Sequence, residues 1–432
     1  MSEAGTPPKD VSNGTTGPDQ ASAPTAAVTA AGRPRAFVAA SISLVTVFAA
    51  SASPVPVYNV YRAENGVTTA DISVSVVAYF LGTIVALLCL GRIANHIGRR
   101  PAALATLLIV AAGAAVLIGV DGVVPLVAGR LLMGVGAGLA SSALTTYIVD
   151  AAPTRPAWLA SVVSSQASMV GLTAGSLAAG ALVQYVANAR VIVYAVMIAL
   201  LTVCVVLLLS APETGRPAPG AWASLRPRIF VPPHARRLLP VATAAFASTW
   251  AMGGFYQSFV PTIARDQLGT DNALVVALLF AAYMAPSVVG APLGGRFSPA
   301  AAQRLGMSVF VVGVAGILTG LITANAPALV LATAVASAGQ GIAVSSSMRA
   351  LLHGTEPADR APVMSAIFLI CYSGAMVPNL VAGQLSHVVG TVEIAVGYGV
   401  LALLGALITL LFARNPVDAP RRNPATHETT QP

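Results

Sequence analysis

The chain has 432 residues, 56% of them apolar and only 9% charged, with a net charge of +8. A water-soluble surface needs about 25–35% charged residues, so a soluble globule is excluded and a polytopic membrane protein is expected. The single lysine, Lys9, lies in a polar N-terminal stretch, which removes nucleotide-binding, pyridoxal and Schiff-base lysine chemistry from the fold.

Residues 1–35 are rich in Ser, Thr, Ala, Pro and Gly, have no apolar core, and are expected to form a disordered cytoplasmic tail. No cleavable signal peptide is expected, because the first apolar run begins near Ala36 and is long enough to span. Twelve spans are predicted. The first six lie at 36–58, 71–90, 102–120, 123–149, 158–184 and 190–211, and the other six at 239–262, 272–293, 304–323, 327–349, 361–385 and 391–413. This divides the chain into an N-terminal six-helix bundle at 36–211, a cytoplasmic linker at 212–238, a C-terminal bundle at 239–413 and a polar cytoplasmic tail at 414–432. With the N-terminus inside, every Lys and Arg except Arg62, Arg190, Arg265 and the in-span Arg130 falls on the cytoplasmic side. The positive charge is therefore a topology signal, and no nucleic-acid partner is expected.

An internal repeat is visible at an offset of 203 residues, which pairs Gly66 with Gly269, Gly91 with Gly294, Gly136 with Gly339 and Gly138 with Gly341. The same offset pairs Gly171 with Gly374 and Gly180 with Gly383. An offset of six spans leaves both halves in one orientation, related by an axis along the membrane normal. The expected fold class is therefore all-α and integral to the membrane, with 12 transmembrane helices in two pseudo-symmetric six-helix bundles around a central cavity. The three cysteines make no C-x-x-C pair, the five histidines make no zinc motif, and no nucleophile elbow is present, so neither an enzyme nor a metal site nor any cofactor is expected.

The loop between spans 2 and 3 reads Gly91-Arg92-Ile93-Ala94-Asn95-His96-Ile97-Gly98-Arg99-Arg100. It resembles the signature loop G-x-x-x-D-R-x-G-R-R of the major facilitator superfamily. In that family the Asp joins a charge relay that holds the cytoplasmic side closed. Here Asn95 and His96 replace the Asp and the following Arg, so the resemblance implies a weakened latch, while a merely topological loop is the alternative. Span 4 carries Arg130-x-x-x-Gly134-x-Gly136-x-Gly138, similar to the family's R-x-x-x-G-x-G. An intramembrane arginine costs about 2.5–3.5 kcal/mol on insertion scales and is expected to face the cavity or a partner. Span 5 carries Gly171, Gly175, Ser176 and Gly180, resembling the antiporter motif of drug-exporting members with Ser176 in place of proline; plain helix packing accounts for these small residues as well. Charges at the cytoplasmic ends (Asp150, Arg155, Glu213, Arg216, Glu356 and Arg360) are implied by the same resemblance to bridge the halves when that side closes.

Neutral polar and aromatic residues near mid-depth form the expected substrate site: Ser53, Tyr58, Gln166, Trp250, Tyr256, Gln257, Tyr283, Gln340, Tyr372 and Asn379, with Ser51 beside them. Each reads equally as an interhelical hydrogen bond; the set reads as an aromatic-walled pocket for a hydrophobic or amphipathic molecule. No Asp or Glu lies deep in any span. A proton is therefore a partner only by resemblance, with Asp71 as first coupling residue and Arg130 as its partner; a helix N-terminal acid is the alternative reading of Asp71. The resemblance to the twelve-span drug:proton antiporter branch covers residues 36–414 and implies a monomeric secondary transporter in a bacterial plasma membrane, exporting a hydrophobic or amphipathic small organic molecule. An uptake carrier for a sugar or organic acid is the alternative, encouraged by the sugar-porter-like Pro212-Glu213-Thr214.

Overall fold

The structure is a computed structural model that describes residues 32–416 except 154, 157, 158, 216 and 228. The expected tails lie outside the described residues up to 31 and from 417 onward, as does Arg216.

The described chain is helical throughout, as a lipid-embedded backbone requires when every peptide group must be bonded within its own segment. The first bundle comprises α1 (Gly32–Asn65), α2 (Thr69–Leu90), α3 (Arg99–Ile118), α4 (Val123–Asp150), α5 (Leu159–Tyr185) and α6 (Ala189–Ser210). The second comprises α7 (Leu239–Thr262), α8 (Ala273–Gly294), α9 (Pro299–Ile322), α10 (Ala326–Leu352), α11 (Pro357–Leu385) and α12 (Thr391–Phe412). All but α7 are apolar enough to cross a membrane on composition alone. α7 falls short because Trp250, Gln257 and several Gly, Ser and Thr residues interrupt it.

Three spans differ from expectation by four residues or more, among them α9, which starts at Pro299 where 304 was expected. α1 begins four residues early and continues to Asn65, broken at Ser53, where Pro54 opens a second helical stretch. α11 likewise starts at Pro357, ahead of the expected 361. Local chemistry explains the other ends. Thr68 and Asp71 form a reciprocal capping box at the start of α2, and Asn272 and Asn325 cap α8 and α10 through their side-chain oxygens. The turns after α1 and α7 both close on a left-handed glycine, Gly66 at φ 65° and Gly269 at φ 62°, which are partners at the repeat offset.

The repeat extends into packing. α2 meets α4 where a Cβ on Gly138 would stand 2.6 Å from the Thr83 carbonyl oxygen, and α8 meets α10 where one on Gly341 would stand 2.2 Å from that of Ser287. α1 meets α5 at Gly171 just as α7 meets α11 at Gly374. Small residues thus let both bundles close by backbone contact, without a hydrophobic effect between helices in lipid. Large apolar side chains cover the outer faces, with Leu108, Val206, Val312 and Leu411 all more than half exposed. Between the bundles, the linker carries two short helical turns, Ala221–Ser224 and Pro233–Arg236.

Candidate functional site

A cavity of about 730 Å³ lies between the two bundles. From the first bundle it is walled by Tyr79, Phe80 and Phe48, from the second by Trp250, Tyr283, Phe368 and Tyr372. Trp250 and Tyr372 meet edge-on with centroids 4.8 Å apart, and Phe80 lies 6.0 Å from Tyr372, so one aromatic wall crosses from bundle to bundle. The cavity reaches the arginine-rich end of the molecule, where Arg92, Thr146, Ser164 and Pro362 line it.

Six of the residues expected at the site line this cavity: Gln166, Trp250, Gln257, Tyr283, Gln340 and Tyr372. Among them, Trp250 Nε1 is a donor and Gln340 Oε1 an acceptor without an internal hydrogen-bond partner. The other four lie elsewhere. Ser53 donates to the Ala50 carbonyl at 2.8 Å within the break in α1, and Tyr58 is fully buried away from the cavity wall. Tyr256 stacks on Tyr283 and shares a 2.5 Å hydrogen bond with Thr333, one layer behind the wall. Asn379 donates to the Ser73 carbonyl at 3.2 Å and ties α11 to α2. Ser51 gives its carbonyl to Arg130, while its hydroxyl donates to the Val47 carbonyl at 2.9 Å.

Sequence reasoning missed a band of hydroxyls on the first-bundle side of the cavity: Ser141, Ser142, Thr145, Thr146, Ser164 and Ser168. Their spacing carried the signal, since Ser141 and Thr145, Ser142 and Thr146, and Ser164 and Ser168 each stand one helical turn apart. Most satisfy themselves by donating back to a carbonyl of the preceding turn, as Thr146 does to Ser142 at 2.6 Å.

Arg130 is fully buried beside the cavity. Its Nη1 donates to the Ser51 carbonyl at 2.8 Å, its Nη2 to Gln257 Oε1 at 2.7 Å, and the guanidinium lies 4.5 Å above the Tyr79 ring. α4 is thereby joined to α1 within its own bundle and to α7 across the cavity. The expected pairing with Asp71 is corrected: the Asp71 carboxylate instead accepts the Thr68 backbone N–H at 2.9 Å and the Thr68 hydroxyl at 2.7 Å. Asp71 is the N-terminal acid of α2, where the helix dipole favours it.

At the arginine-rich end, the loop that resembles the family signature is held within the first bundle. Gly91 ends α2, and Gly98, at φ 101°, turns the chain into α3. Glu213 caps α3, accepting the backbone N–H of Arg99 at 2.8 Å and of Arg100 at 2.9 Å. The Arg99 side chain reaches Asp150 at 2.9 Å and Asn95 Oδ1 at 2.5 Å, while Arg100 donates to the Leu209 carbonyl at 2.6 Å. His96 Nδ1 lies 3.0 Å from the Ala218 carbonyl and Arg92 donates to the Ser224 carbonyl at 2.9 Å, so this loop also holds the linker. Arg155, Glu356 and Arg360 are exposed and stand apart from the network.

The opposite end is sealed by contacts between the bundles. On one side, Ser176 of α5 donates to the Ala277 carbonyl at 3.4 Å, and Gln184 accepts the Ala273 backbone N–H at 3.0 Å. On the other, Asn379 holds Ser73. A Cβ on Gly180 would lie 2.5 Å from Ala277 Cβ, and one on Gly383 would lie 2.5 Å from Ser73 Cβ, so the repeat-related glycines close the two symmetry-related seams. Gly171 and Gly175, by contrast, pack on α1 within the bundle. Arg62 adds a bond to Thr262 at 2.9 Å and another to Thr69.

The chain matches the sequence pattern of the Major Facilitator Superfamily over residues 40–377. No curated protein sequence matches it. Among solved structures it is similar to a D-xylose-proton symporter, with a TM-score of 0.69 at 14% identity over 89% of this chain and 99% of that one. It is also similar to the xylose transporter XylE from E. coli in a partially occluded inward-open conformation, with a TM-score of 0.66 at 15% identity over 89% of this chain and 98% of that one.

Proposed function

The chain belongs to the Major Facilitator Superfamily of secondary transporters, and from that premise we propose that it exports an amphipathic, largely apolar organic molecule by alternating access. The observation that carries this reading is the aromatic-walled cavity of about 730 Å³, shared by both bundles and reaching one end while glycine seams close the other. The positive-inside rule makes the arginine-rich end cytoplasmic, with both termini on that side of a plasma membrane, so the cavity is loaded from within the cell. Its walls suit a ring system: aromatic faces supply contact area, while Trp250 Nε1 and Gln340 Oε1 supply one donor and one acceptor for orientation. Transport follows when the α2–α11 and α5–α8 seams part and the arginine-rich ends come together. The exposed charges Glu356 and Arg360 of the second bundle then approach the Asp150–Arg99–Glu213 network of the first, beside which Arg155 lies on the same bundle.

A second reading, uptake of a small polyol or sugar, is favoured by the hydroxyl band and by the likeness to two solved structures, a D-xylose-proton symporter and a xylose transporter. Proteoliposomes separate the two. Vesicles are loaded either with an amphipathic fluorescent dye or with nothing, and offered a pH gradient, a membrane potential or labelled xylose. Dye flux that Trp250→Ala abolishes supports export of an amphipathic molecule. Xylose accumulation without dye flux overturns it in favour of uptake.

A further inference from the structure

We infer that the exported molecule is an anion, whose acidic head group takes the place of Gln257 on the Arg130 guanidinium. The inference rests on the amphipathic-substrate reading and adds the head group.

Arg130 is a permanent cation, fully buried, and in no ion pair among the described residues. Among the described residues the only ion pairs are Arg99–Asp150 and Arg190–Glu64, both toward the ends of the bundle. Every described Asp and Glu stands at a helix end or in a loop, and none lines the cavity. The guanidinium is held by two neutral oxygens and a ring face, and its Nε has no partner at all. A buried charge left this way is costly, and its natural complement is a carboxylate, sulfonate or phosphate that accepts two of its N–H groups side by side.

The route to it is through Gln257, which lines the cavity and whose Oε1 occupies Nη2. Gln257 is a neutral placeholder: an uncharged amide gives one hydrogen bond where an anion gives a bidentate pair. Tyr79, which also lines the cavity, covers the other face of the guanidinium and leaves its edge for the ligand. At the mouth, Arg92 is the sole charged lining residue among the described residues, so their path from the cytoplasmic end carries positive charge alone. The membrane potential of a cell with a negative interior drives an anion outward, and its export therefore needs no titratable carboxylate in the cavity.

The test uses the purified full-length protein and three probes sharing one ring system: naphthalene-2-acetate, its primary amide, and the corresponding ethylamine. Binding is measured by isothermal titration. The carboxylate is expected to bind about 10- to 100-fold tighter than the amide, the range of a charge-assisted hydrogen bond, with the amine weakest. Arg130→Gln is expected to bring the carboxylate down to the amide's affinity while leaving the amide unchanged, and Arg130→Lys to restore part of the difference. Gln257→Ala, which removes the placeholder without touching the charge, is expected to tighten the carboxylate and keeps the test decisive if the Arg130 variants fail to fold. Equal affinity for carboxylate and amide, equal weakening of both by Arg130→Gln, or an unchanged carboxylate affinity in Gln257→Ala would overturn the inference while leaving the amphipathic-substrate reading standing. Failure of all three probes to bind would overturn both.

Discussion

Gly383→Val is expected to open the sealed end. A Cβ at this position would stand 2.5 Å from Ser73 Cβ across the α2–α11 seam, at least about 1 Å inside ordinary carbon–carbon contact. Overpacking of this kind costs about 1–3 kcal/mol. The cost falls only on the conformation in which the seam is closed, because α11 and α2 belong to different bundles and separate when that end opens. At about 1.4 kcal/mol per tenfold, the population shifts about 5- to 150-fold toward the outward-open state. The reporter is Ser176→Cys, a buried position on the opposite seam, in a background lacking Cys89, Cys204 and Cys371. Its maleimide labelling should accelerate in Gly383→Val, while labelling of Ser142→Cys on the cavity wall, offered from the arginine-rich side, should slow. Unchanged labelling at Ser176, or acceleration at both positions, would refute a reciprocal coupling of the two ends.

Further outcomes follow from the same geometry. Trp250→Ala should weaken binding of an aromatic substrate about 10- to 100-fold, since it removes the edge-on partner of Tyr372; equilibrium titration reads this. Tyr256→Phe should leave substrate affinity unchanged and lower stability by about 1 kcal/mol through loss of the Thr333 bond, as thermal unfolding in detergent would show. Glu213→Gln removes the charge that caps α3 and is expected to destabilise the fold by about 1–2 kcal/mol, an effect that high salt should not erase because the cap is partly buried. Asn95→Asp should turn the contact to Arg99 from a cation–amide bond into an ion pair, and because that contact lies within the first bundle and is already made with the arginine-rich end open, labelling of Ser142→Cys is expected to stay unchanged.

The helices and the repeat were legible because spans in lipid must be long, apolar and internally bonded, and because glycines mark where backbones touch. The repeat partners Gly66 and Gly269 share one left-handed turn, and Gly180 and Gly383 close matching seams. What a residue faces was much less legible. Depth follows from position along a span, but direction around the helix does not, since a span between lipid and protein is apolar on both sides. Tyr256 and Gln257 are neighbours in sequence, yet one lies behind the wall and the other lines it. Asn379 and Asp71 lie too near the sealed end to reach the cavity, and each is occupied by a local bond, to Ser73 and to Thr68. The break at Ser53 and Pro54 is written in the sequence, but the continuation of α1 to Asn65 is masked by Arg62, Glu64 and other polar residues that lower the hydropathy of its last turns. The arginine-rich loop was identifiable as a motif, whereas the capping of α3 by Glu213 depends on a contact across more than a hundred residues of chain.

Alternating access requires the two bundles to rock about the shared cavity, so that one end closes as the other opens. Double electron–electron resonance on two spin-label pairs tests it directly: Ala63→Cys with Asp271→Cys at the sealed end, and Val149→Cys with Glu356→Cys at the arginine-rich end, all at exposed positions. On adding an amphipathic aromatic substrate in lipid nanodiscs, the first distance is predicted to lengthen while the second shortens. Distances that stay fixed, or that change in the same direction at both ends, would contradict the account.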